Sequence, residues 1–190
     1  MGEIDLARHM NKISVQQYGQ ALGKQRVLND AQWLQRCDEL AIEQPTLFFE
    51  LLTFPRDGVP ETVFRQLIDY LSALQYATQS ISESLAAPIP LDEFKASMLR
   101  MGRFFHAITT DDQAHFGEMM AAWVKGMQEN GQPVIWAGCV ETLSGSEMSE
   151  QPLYKEIACT LAGIADAYAN RLKAGVEPAK GKPDLDPTQI

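Results

Sequence analysis

The chain is poor in the residues that usually carry chemistry. Among its 190 residues there are three His (His9, His106, His115) and three Cys (Cys37, Cys139, Cys159). The cysteines are odd in number, lack paired spacing and sit in apolar helical contexts. They read as small buried hydrophobes in a reducing compartment, not as a disulfide framework. No apolar run approaches the roughly 18–20 residues of a membrane span. The N-terminus carries Glu3 and Asp5 and no apolar signal core, so the sequence predicts a cytoplasmic protein without a membrane partner. Leu6 stands where a myristoylation signal needs Ser or Thr.

Cofactor motifs are missing too. Gly19 to Lys24 reads G-x-x-x-G-K, one residue short of a phosphate loop, and Gln25 stands where Ser or Thr would hold magnesium. No Ser lies in a G-x-S-x-G setting, and Asp184 and Asp186 lack the later Glu of a calcium loop. No cofactor is expected. Positive charge is scarce: Lys and Arg number 16 against 25 Asp and Glu, for a net charge of −9. Residues 1–29 hold Arg8, Lys12, Lys24 and Arg26 against Glu3 and Asp5, a net of +2, so the remainder carries −11. Nucleic-acid binding relies on cations that displace counterions from phosphates, and this body has the wrong sign.

What is present is helix. No β-branched run bounded by turn signals appears, which argues against a parallel sheet. The 45% hydrophobic content suffices for a core without disulfides or a structural metal. The pattern predicts an all-α fold, one compact domain of seven or eight mostly antiparallel helices joined by short connections. Helices are expected near 30–43, 46–54, 60–85, 91–108, 111–129, 133–143 and 150–173, with an eighth before residue 28. Capping boxes mark three starts: Ser14 with Gln17, Asn29 with Gln32, and Thr110 with Gln113. Ser149 is expected to cap the last helix and Gly175 to stop it. Residues 1–28 read as an N-terminal arm, 29–175 as the helical domain, and 176–190, with Pro178, Pro183 and Pro187, as a tail.

Three groups of residues are candidates for function. Around the expected helical hairpin, His106, Asp112 and His115 have the imidazole and carboxylate character of a metal site. A helix dipole accounts for the same residues, since acids favour a first turn and His a last one. In the second half of the 60–85 helix, Gln75 and Thr78 replace apolar residues. With His106 and Trp136 they are the candidate lining of a ligand cleft. The third group is an interface: Phe49 and Phe54 in a nearly all-apolar segment, with Tyr18 and Leu22 in the arm. The arm is expected to pack through Leu6, Met10, Ile13, Tyr18 and Leu22 on its own body or on a second copy.

The sequence thus favours a non-enzymatic, acidic, helical protein that acts by protein–protein interaction or regulation, including self-association. The alternative is a small-molecule-binding or metal-dependent helical enzyme with its site near the 106–115 hairpin.

Overall fold

Helix α1 (Val15–Arg26) begins where Ser14 accepts the Gln17 N–H and Gln17 returns the bond to the Ser14 N–H, at 3.1 and 2.9 Å. The same reciprocal box, Asn29 with Gln32, opens α2 (Asp30–Glu43). These details come from a computed structural model that describes residues 11–110 and 132–174, with the backbone alone for residues 104–110 and for residue 174. The further elements are α3 (Pro45–Leu51), α4 (Thr53–Arg56), α5 (Glu61–Gln79), α6 (Leu91–Thr110), α7 (Pro133–Leu143), α8 (Ser146–Ser149) and α9 (Tyr154–Ala174). They form a single compact helical domain, and no strand occurs among the described residues.

Helix α5 lies at the centre. Its buried face runs from Val63 through Leu67, Tyr70, Leu71 and Leu74 to Ala77. Helix α1 packs along it, α7 packs on it further on, and α9 rests on α6 and α7. Ile13, Tyr18 and Ala21 share the one buried cluster with α5, α7 and α9. That part of the expected arm is therefore built into the body, with Leu22 half-buried against it. Leu6 and Met10 lie outside the described residues, as do Asp111 to Gly131 and the tail from Gly175.

Four expected boundaries move. Helix α6 runs on through Thr110, past the expected end at 108 and over the residue expected to cap the next helix. The other three shift for local reasons. The 46–54 helix breaks at Leu52, because Pro55 has no N–H to continue the ladder and the Thr53 hydroxyl bonds the Glu50 carbonyl at 2.8 Å. The chain then reverses at Gly58, whose φ of +94° is left-handed. The 60–85 helix ends at Gln79, where the Ser80 hydroxyl takes the Ala77 carbonyl at 2.7 Å. Leu85 and Ile89 still reach the core, but from a loop. The last helix starts at Tyr154, not after Ser149. Pro152 interrupts the ladder, and the Ser149 hydroxyl bonds the Ser146 carbonyl at 3.0 Å instead of capping.

Candidate functional site

Two polar clusters interrupt the core; the first joins α2 to α5, and the second joins α5 to Gln44 at the junction of α2 and α3. On α2, Trp33, Cys37 and Leu40 form the buried stripe, and Arg36 falls on the same side with only 2% exposure. Its guanidinium bridges Glu39 at 3.0 Å and Glu43 at 2.9 Å, and it sits 4.1 Å from the centre of the Tyr76 ring. Its Nε donates to the Ser72 hydroxyl at 3.4 Å. Burial works against the charge, but the hydrogen bonds to Glu43 and Glu39 outweigh it and hold Arg36 above the usual arginine value. The cation is neutralised from within the chain, and its partners are the half-exposed carboxylates.

The second cluster is centred on Gln75, which is 1% exposed. Its Oε1 accepts from Gln44 Nε2 at 2.9 Å and from the Tyr168 hydroxyl at 2.7 Å, and its Nε2 donates to the Ala86 carbonyl at 3.0 Å. Gln44 Nε2 also reaches the carbonyls of Ala86 and Ala87, at 3.1 and 3.2 Å, and Gln44 Oε1 accepts the Ile89 N–H at 2.9 Å. Burial pushes the Tyr168 phenol far above its ordinary pKa, so it serves only as a neutral donor. Arg171 completes the clasp: it donates to the Ala87 and Pro88 carbonyls and pairs with Glu93 at 3.1 Å. Gln44, between α2 and α3, together with side chains of α5 and α9, thus holds the loop between α5 and α6.

A third feature lies beneath α1. A cavity of about 140 Å³ is bounded by Tyr18, Leu22, Arg26, Gln66, Asp69 and Glu141. Arg26 and Glu141 close its rim at 3.2 Å. Burial raises the Asp69 carboxyl above the usual carboxylate range, with the Trp33 indole, Arg65 and Arg26 pulling the other way. Its Oδ1 is buried without a hydrogen-bond partner. The Tyr18 ring fits over Gly138, where any Cβ would run into the phenol. The neighbouring Cys139 is fully buried, and burial pushes its thiol up to about 12.

Gln75, expected in a ligand cleft, is occupied by its own network, although a groove of about 490 Å³ runs past it between Glu43, Gln79 and Pro88. Thr78 is fully buried, and its hydroxyl has no hydrogen-bond partner. Trp136 is 3% exposed and belongs to the core. His106 sits in α6 by its backbone, its side chain lying outside what is described, as do Asp112 and His115. No group of three or more His, Cys, Asp or Glu that could hold a metal occurs among the described residues. Of the interface residues, Tyr18 and Phe54 are buried in the chain's own core at 7% and 5% exposure and so are closed to a partner, whereas Phe49 is 58% exposed.

Gln44, Arg36 and Tyr168 were not singled out by the sequence, yet two carried a signal. Arg36 is a charged residue on an apolar stripe with Glu three and seven positions later, and Gln44 is a polar residue directly before the Pro that opens an apolar helix. Compared with protein-family models, curated proteins and solved structures, the chain matches none.

Proposed function

We propose that the chain acts by protein–protein contact through the α3 edge, without catalysing a reaction of its own. One observation carries this reading. In the run Leu47 to Phe54, Leu47, Phe48, Leu51 and Phe54 are buried, while Phe49 and Leu52 are 58% and 37% exposed. They are one turn apart and therefore side by side. The Phe49 ring meets Phe48 edge-on at 5.9 Å between centres, which leaves most of its surface open to a partner. The net charge of −9 opposes close approach of two identical bodies and favours a partner with basic residues around an apolar patch. Self-association is then a salt-dependent second mode. A cytoplasmic location accords with free Cys37, Cys139 and Cys159.

The alternative, a small-molecule site, is supported by the groove beside Gln75 and Gln79. It ranks second because the Gln75 oxygen already accepts two hydrogen bonds.

A photo-crosslinking phenylalanine analogue in place of Phe49 tests the reading in cells that make the protein naturally. A discrete cross-linked species is expected at position 49 and none at exposed Glu150. Indistinguishable patterns at the two positions sink the proposal. Analytical ultracentrifugation at low and high salt separates a foreign partner from a second copy.

A further inference from the structure

The groove that α1 fills on α5 and α7 has the character of a specific receptor for that helix. Tyr18 enters a notch that exists only because residue 138 is Gly. Ile13 N–H reaches Gln132 Oε1 at 3.4 Å, Gln132 Nε2 donates to the Asn11 carbonyl at 2.6 Å, and Gln17 Nε2 donates to Ser80 Oγ at 3.1 Å. Arg26 meets Glu141 at the far end.

The helix itself is weakly committed to that groove. Gly19 and Gly23 lie inside α1, and a Cβ at either would meet nothing within 4 Å. Packing does not require these glycines, yet each makes the helix intrinsically less stable. Gln25 is 96% buried, being 4% exposed, with Oε1 lacking a hydrogen-bond partner. The cavity of about 140 Å³ leaves the seam incompletely filled. Val15 and Val27, at the helix ends, are 77% and 80% exposed.

We infer that α1 is an exchangeable helix: it undocks from its own groove, and the groove then accepts α1 of a second copy. Residues 14–28 contain Lys24 and Arg26 and no acid, whereas the chain as a whole carries −9. Once undocked, this basic helix is attracted to the more acidic body left open on a second copy, which favours encounter. Each closed body keeps the same charge before and after the exchange. The three residues Val27 to Asn29 join α1 to α2, so a swap needs rearrangement of one short hinge. This inference is independent of the α3 edge, and either can fail without the other.

The fully buried Cys139 beside Tyr18 reports on undocking. In a full-length Cys37→Ala, Cys159→Ala background, iodoacetamide labelling of Cys139 is expected to proceed by local opening, with a rate nearly independent of low urea. Adding Gly19→Ala and Gly23→Ala should slow it about thirtyfold, the combined effect of two helix glycines. Gly138→Ala should speed it. A fluorescent peptide of residues 11–28 should bind the full-length chain, and its Tyr18→Ala version should not. Labelling that follows the urea dependence of global unfolding, or that ignores the two alanines, overturns undocking. Failure of the peptide to bind, or equal binding of the Tyr18→Ala peptide, overturns exchange.

Discussion

Replacing Gln75 with Met keeps the side-chain length and removes both polar ends of the buried amide. The Tyr168 hydroxyl then loses its acceptor at 2.7 Å in a site without exposure. An unsatisfied buried hydroxyl costs about 1–3 kcal/mol, and the lost net hydrogen bonds add about 1 kcal/mol each. Gln44 Nε2 keeps the Ala86 and Ala87 carbonyls, so the damage centres on Tyr168. Gln75→Met should destabilise by about 3 kcal/mol. Tyr168→Phe alone should cost only about 1 kcal/mol, because Gln75 Oε1 still accepts from Gln44. In the double variant no orphaned hydroxyl remains, so Tyr168→Phe should be neutral or stabilising on the Gln75→Met background. Urea unfolding followed by circular dichroism yields the four free energies of the cycle. A double variant whose loss equals the sum of the single losses refutes the coupled network.

Burial raises the Asp69 pKa, so the folded state binds a proton more readily than the unfolded chain. Stability should therefore fall as pH rises from the ordinary carboxylate range through the raised value, and Asp69→Asn should flatten that slope in urea midpoints measured across pH. Arg36→Met should cost about 2–3 kcal/mol in chemical denaturation, below the range for a wholly buried pair, because Glu39 and Glu43 can return to water. Gly58→Ala places a Cβ at φ +94° and should lower stability by about 1–2 kcal/mol, read from the denaturation midpoint at unchanged slope.

Local signals in this chain translate directly into structure. Ser14–Gln17 and Asn29–Gln32 are reciprocal side-chain and backbone exchanges that need no distant partner, and both form as their spacing implies. Pro133 and the apolar run after it set the limits of α7 for the same reason. Boundaries that depend on competition were less legible: Ser80 and Ser149 could have extended or capped helices, and each instead bonds a carbonyl three residues back. The candidate polar residues were legible only by type. Gln75 stood out as a polar residue on an apolar line, but its partners Gln44 and Tyr168 lie 31 and 93 residues away. No period or spacing encodes such a meeting, because it arises only when the α2–α3 junction, α5 and α9 converge. Phe49 shows the same limit in reverse, since an apolar run does not reveal which of its members is left outside.

The clasp on the loop between α5 and α6 has a consequence in time. Arg171 comes 84 residues after Ala87 in the chain, and synthesis proceeds from the N-terminus. While the polypeptide emerges, α2 and α5 can meet early and Gln44 can find Gln75, but the carbonyl of Pro88 and the acceptor face of Gln75 still await Arg171 and Tyr168. The loop therefore stays unfinished on the ribosome until α9 arrives, and α9 acts as its latch. A nascent chain stalled before residue 168 would present a stretch of backbone carbonyls and a half-satisfied glutamine to the surrounding water, protected by nothing but its own earlier helices.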